Sequence, residues 1–529
     1  MKTGFLKRLT LSLAALGLVA ATAGVTDKEA HAQGTLIYGM PADHDILDPH
    51  ATGGWITYHV TYNIFEGFVK EDLTVADVMT PPLVPGLATS WDVSEDGTEY
   101  TFHLREGVTF HDGEPFNADA AMFNFDRFWN KDSPHYYDKT AAFVSAYTQW
   151  IKDVEKLDDM TIKVTLTQPN YEWLRTGLQS YGQPLMISPK SVEKYGNEGI
   201  ALHPVGTGPF SFVERDQGVK TVLQRNDDYW GDNAKLDRII FRPLEDPSTR
   251  VNALRTGEVN FIGVPPWDDV EGLEEDGFIL TTNDNVPNYT FIHLNFRHPA
   301  LEDKRVRQAL NMAIDKKGLV DEIYAGTAHV ENGMISPGTF AYDPNFTFYE
   351  YDPEKAKQLL AEAGYGDGLE LNWDIYQYGT GELVESWIQR DLKKVGVDVN
   401  IQKYEWIAYL RRWASGMTED IAMNHIGWGM TYPAFIRIVA SCKSFPPNGV
   451  NSGWYCNEEV DKLMDEAVTI KDEAKAKEIY QQINRMIMED AAFVPLVRDL
   501  QPIFLAPEVK GFVNPPNDWY DFSTVWIEE

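Results

Sequence analysis

Tyr100, Phe102 and Leu104 alternate with Thr101, His103 and Arg105, the period-two pattern of a strand with one face buried. The same alternation runs through 161–166 and 219–223, and 238–241 is a short apolar run before Pro243. Asp96-Gly97 and Asp112-Gly113 are turn dipeptides: glycine tolerates positive φ, and aspartate bonds its own backbone. Asn117 then predicts a helix cap before the apolar side Ala121, Met122, Phe125 and Phe128. The second half turns helical. Residues 303–314 place Val306, Leu310, Ala313 and Ile314 on one face. Asp352-Pro353 opens a helix carrying Ala356, Leu359, Leu360 and Ala363, and Gly364 stops it. Residues 382–395 repeat that design up to Gly396. Asn457 caps a helix carrying Val460, Leu463, Met464 and Ala467, and 474–488 predicts a further long one. These stripes are read as core faces of an α/β protein.

The first residues change the compartment. Lys2, Lys7 and Arg8 precede an apolar segment, 9–23, too short for a confident membrane span, and Ala30-His31-Ala32 is an A-x-A cleavage site before Gln33. No cysteine follows the apolar segment, so the expectation is a soluble exported protein beginning near Gln33 rather than a lipid-anchored one. No later run of eighteen apolar residues is found. The 529 residues suit about three domains. With 80 acidic against 46 basic residues the net charge is −34, which disfavours nucleic acid and anionic lipid as partners. The two cysteines, Cys442 and Cys456, flank a loop rich in Pro, Gly and Asn. In an oxidising compartment a disulfide is expected there, contributing roughly 3 kcal/mol; the alternative is two buried thiols.

The run LATSWDVSEDGTEYTFHLREGVTFHDGEPFNADAAMFNFDRF (87–128) resembles the signature of solute-binding protein family 5, the large binding proteins of peptide, opine, oligosaccharide and nickel importers. GTGPF (206–210), RNDDYWG (225–231), DKRVRQALNMAID (303–315), 352–368 and WYCNEEVDKLMDEA (454–467) resemble further motifs of that family, with Asn260 where an Asp is common. The resemblance implies a two-lobed periplasmic-binding-protein-like fold with an extra inserted subdomain and a ligand cleft between the lobes. Carried onto this chain, lobe I is 33–77, 202–298 and 500–529, the inserted subdomain 78–201 and lobe II 299–499. The two crossings fall near 294–299 and 494–500. It also implies a periplasmic, monomeric, non-catalytic receptor. Its partners would be a small solute, peptide or peptide-like by family default, and an inner-membrane ABC permease.

Catalytic signatures are missing: G-x-S-x-G, H-E-x-x-H, G-x-x-x-x-G-K-[ST] and G-x-G-x-x-G do not occur. Acidic pairs such as Asp158-Asp159 and Asp268-Asp269 are read as solvated surface, which leaves a secreted hydrolase the minor alternative. His103 and His111 fall on strand signals. His44, His50 and His59 form the only loose histidine cluster near the N-terminus, on which a metal-chelate reading would depend, and no metal or cofactor is expected. Peptide-binding members commonly hold an ammonium group with an Asp in a segment that here reads GWGMTYPA (427–434). Thr431 stands at that position, and Ala434 replaces a second acid. The arginine that dipeptide binders use for a carboxylate has no counterpart in WDIYQYGTG (373–381). Free dipeptides are therefore disfavoured, since a desolvated charge without a partner costs several kcal/mol. What remains is aromatic and neutral: Trp55, Tyr58, Tyr376, Gln377, Tyr378, Trp406, Trp428, Thr431 and Tyr432, with Asn288 and Tyr289 from VPNYTF (286–291). Such groups suit sugar rings, amides or apolar side chains, so an oligosaccharide, glycoside or opine is the alternative ligand.

Overall fold

The computed structural model describes residues 34–52, 54–78, 80–140, 143–144, 148–178, 185–286, 288–336, 339–376, 381–429, 432–516 and 519–529; the side chains of 176–178, 288, 381 and 428 lie outside the description. The proposed signal segment therefore falls outside it too.

Two mixed sheets dominate. A seven-stranded sheet runs in the order Ile279–Thr281, Ile503–Leu505, Phe261–Gly263, Thr35–Met40, Arg238–Pro243, Lys220–Arg225, Phe210–Asp216. Its central strand, Thr35–Met40, pairs in parallel with both neighbours, and its core holds Tyr38, Phe241, Phe261 and Phe522, each at most 1 % exposed. A six-stranded sheet runs His329–Val330, Phe493–Arg498, Asn288–Leu294, Met423–Gly429, Leu369–Tyr376, Val397–Tyr404. Helices cover both faces of this second sheet, as a sheet of this kind requires. Trp373, Ile375 and Met423 pack with Val306, Leu319 and Ile388 on one side, whereas Tyr376 and Ile426 pack with Tyr409, Leu463 and Ile483 on the other. A four-stranded antiparallel sheet (Ala88–Val93, Glu99–Leu104, Thr161–Leu166, Ile151–Asp158) carries helix Ala118–Phe128 and lies wholly within 78–201.

Local signals explain many element ends. Tyr100, Phe102 and Leu104 are buried while Glu99, Thr101 and His103 are not. Asn117 accepts from the N–H groups of Asp119 and Ala120 at 3.0 and 3.1 Å, and Asp352 and Asn457 cap their helices in the same way. His111 lies in a turn instead of a strand, its Nε2 2.9 Å from the Gly208 carbonyl.

The motif residues turn out to be structural. Thr207 Oγ1, Tyr229 OH and Trp230 Nε1 all donate to the buried Glu66 carboxylate, at 3.0, 2.8 and 2.7 Å, which ties two separated motifs together. A Cβ on Gly206 would stand 2.1 Å from the Ile64 carbonyl oxygen, so only glycine fits there. Buried Arg250 donates to the carbonyls of Leu244, Glu245, Gly263 and Val264, and Arg307 to those of Leu301, Glu302 and Asp490. The subdomain is riveted to the first sheet's loops by Arg127, which is 0 % exposed and pairs through both terminal nitrogens with Asp48, 1 % exposed. Cys442 and Cys456 form a disulfide.

The first crossing between the large sheets differs from the expectation. Strand Asn288–Leu294 already belongs to the six-stranded sheet, paired with Met423–Gly429 and Phe493–Arg498, so the chain crosses at 282–287 instead of near 294–299. The apolar run from Tyr289 to Leu294 is compatible with either lobe on pattern alone; cross-strand pairing decides it. The second crossing is 499–502, between Phe493–Arg498 and Ile503–Leu505.

Candidate ligand-binding cleft

The crossings define the cleft. In the seven-stranded sheet the carboxyl ends of Thr35–Met40, Arg238–Pro243 and Phe261–Gly263 lie on the same edge as the amino end of Ile503–Leu505. In the six-stranded sheet the carboxyl ends of Leu369–Tyr376, Val397–Tyr404, Met423–Gly429 and Phe493–Arg498 share an edge with the amino end of Asn288–Leu294. Both crossings leave from these two edges, which therefore face one another. Ligands of open α/β sheets bind outside the carboxyl ends of strands, where loops diverge and backbone groups are free to be used.

The lobes touch across this gap. Trp55, at the start of helix Trp55–Thr61, is half-buried and packs against the cores of both large sheets. Ala42, from the loop after Thr35–Met40, is buried in the second core, and a Cβ on Gly54 would be 3.7 Å from Leu410 Cδ1. Asp45 lies between Arg411 of one lobe and Arg215 of the other; burial raises its pKa and these two cations oppose the rise. Across the first crossing, Arg498 Nη1 donates to the Asp284 carbonyl.

Five of the residues named from sequence are brought to the six-stranded sheet's edge. Tyr376 ends its strand, Trp406 opens the helix after Val397–Tyr404, and Trp428 pairs in register with Tyr289, next to Asn288 and Gly429. The Tyr376 and Trp406 rings meet edge-on at 5.2 Å, and Tyr376 stacks on His425 at 5.6 Å. Behind them lies a buried pair, His425 Nδ1 2.5 Å from Glu385 Oε1; burial pushes the Glu385 carboxyl up, while His425 opposes the rise. Tyr289 is 1 % exposed and gives its hydroxyl to the Met334 carbonyl at 3.1 Å. Tyr58 is likewise packed inward, against Trp519, its hydroxyl on the Thr52 carbonyl. Tyr432 is half-buried beside Phe340 and under the Arg175 guanidinium at 5.6 Å. Gln377, Tyr378 and Thr431 lie outside the described residues. The histidines do not converge: His44 contacts Thr221, His50 contacts Leu185 and Arg127, and His59 contacts Tyr38. Among the described residues no group of three His, Cys, Asp or Glu is placed to hold a metal ion, and no helix is long and apolar enough to cross a membrane.

Sequence reading missed Ala42, Asp45, Leu410, Arg411 and Asp499. Only Asp499 left a signal, as a lone acid directly after the fully buried strand Phe493–Arg498.

Two lobes of mixed sheet and helix, joined by two crossings with an inserted antiparallel subdomain, define a periplasmic-binding-protein architecture. Residues 82–445 match the profile described as bacterial extracellular solute-binding proteins, family 5 middle, and the chain belongs to this family. It is 30% identical over 550 residues to the dipeptide-binding protein of Escherichia coli K12, covering 100% of this chain and 99% of that one. It is also 30% identical over 466 residues to heme-binding protein A of Haemophilus influenzae, covering 84% of each. In structure it resembles the periplasmic binding protein DppA of Helicobacter pylori in complex with the peptide STSA. The TM-score is 0.83 at 29% identity, over 94% of this chain and 98% of that one.

Proposed function

We propose that this chain is an exported, monomeric receptor, released by cleavage near Ala32, that encloses a peptide or peptide-like solute between its lobes and delivers it to an ABC permease. The observation that carries this reading is the facing of the two carboxyl edges, with Trp55 seated between both cores. A solute held there touches both lobes only when they approach, so binding and closure are one event. Trp55 is half-buried between the two cores, whereas Tyr376 and Trp406, 7 % and 6 % exposed, pack into the second core behind the edge; strand ends such as Asn288 and Gly429 offer backbone amides to an amide-bearing ligand. The relatives that bind dipeptides and the neighbour crystallised with STSA support the peptide class. Lobe I is proposed as 34–77, 202–281 and 503–529, the subdomain as 78–201 and lobe II as 288–498.

Mass spectrometry of the solute retained through purification, followed by calorimetry with it and with di- to pentapeptides, tests the proposal. A retained or titrated peptide that also shrinks the radius of gyration in small-angle scattering is the expected result. Turnover of the solute, or binding without compaction, would refute a hinged non-catalytic receptor.

A further inference from the structure

We propose that Asp499 anchors a cationic nitrogen of the solute, an ammonium or guanidinium group; this rests on the cleft being the solute site. Asp499 stands in the second crossing, one residue beyond Arg498, whose backbone pairs with Tyr289 at the edge where the sequence-named aromatics gather. It is half-buried, unlike the fully packed strand it follows, and lies in the segment that spans the two lobes. Its interactions are local: Oδ1 accepts from Gln501 N–H at 3.2 Å, and Leu500 N–H also favours its charged form.

Among the described residues no Lys, Arg or His lies within ion-pair distance of Asp499. The adjacent Arg498 is turned elsewhere, to the Asp284 carbonyl and to Glu331 at 3.5 Å. Tyr376 feels the charge of Asp499, and behind Tyr376 lies Glu385, already held by His425. Asp45, the other acid between the lobes, has both Arg411 and Arg215 near it. Asp499 is thus left without a counter-charge, and burial raises its pKa to about 6. A carboxylate in a closing, water-poor space gains most from a cation that arrives as the water leaves.

The test uses three tripeptides, Ala-Phe-Ala, its N-acetylated form, and N-acetyl-Ala-Lys-Ala, titrated into the whole protein and into Asp499→Asn at pH 7.5. At least one of the two cation-bearing peptides should bind the unaltered protein tenfold or more tightly than N-acetyl-Ala-Phe-Ala. In Asp499→Asn that preference should vanish, with N-acetyl-Ala-Phe-Ala unaffected. Equal affinities of all three for the unaltered protein, or a preference that survives in the variant, would overturn the assignment without touching the peptide reading. If none of the three binds, that reading fails on its own, and the solute retained through purification decides. An amine or guanidine lost from Asp499→Asn supports the anchor; a neutral or anionic solute, or one retained equally by the variant, overturns it.

Discussion

Replacing Trp55 with alanine separates the energy of closing the lobes from the energy of folding them. An indole buries about 150–250 Å² when fully covered, and Trp55 is half-buried, so about 100 Å² of contact is lost. At ~25 cal/mol per Å² that is about 2.5 kcal/mol. Trp55 packs against both cores, so with the loss divided evenly between them roughly half exists only while the lobes are together. The closed state should therefore lose about 1.2 kcal/mol relative to the open one, close to a tenfold shift in their ratio. Calorimetry with the retained solute should show its affinity fall by about that factor. Small-angle scattering should show a larger radius of gyration at equal, subsaturating solute. Saturating solute should restore compaction, because binding stabilises the closed form by about 2.7 kcal/mol at a hundredfold excess over Kd. An unchanged affinity in a variant whose melting temperature is also unchanged would show that the Trp55 contact does not contribute to closure.

Three further outcomes follow from the same geometry. The protein should titrate no free thiol when denatured without reductant, and reducing the Cys442–Cys456 bridge should cost roughly 3 kcal/mol in urea unfolding; two titratable thiols would refute the bridge. Arg127→Met should destabilise by about 3–5 kcal/mol because Asp48 is left buried without its partner, and adding Asp48→Leu should recover most of the loss; equal stability of the single and double variants would refute that account. Burial raises the Glu172 carboxyl from 4.5 to about 8, with the Tyr480 hydroxyl and Arg437 pulling the other way. The folded protein then keeps a proton that the unfolded chain releases, so this group's contribution is full below pH 4.5 and is lost as pH rises towards 8. Glu172→Gln should flatten that decline between pH 5 and 8, and parallel stability curves for the two proteins would count against it.

Much of this protein can be read locally. Alternation at 100–104 and 161–166, caps at Asn117, Asp352 and Asn457, and stops at Gly364 and Gly396 depend on neighbours within a turn or two, so the residues themselves determine the elements. The motif resemblance carried the family and the class of fold. The short spacing of Cys442 and Cys456 made their pairing an expectation.

What the residues could not determine is where distant segments meet. Strand Asn288–Leu294 is apolar enough for either sheet, and only its pairing with Met423–Gly429 and Phe493–Arg498 moves the crossing to 282–287. Tyr58 and Tyr289 read as surface for a ligand as readily as Trp55 does, yet packing turns both inward and gives their hydroxyls to backbone carbonyls. Asp499 is one acid among 80 until the fold brings it to the crossing and turns Arg498 away. Periodicity and capping are short-range and written in the chain; the surroundings of a cleft are made by segments hundreds of residues apart, and only tertiary packing decides which side chains share them.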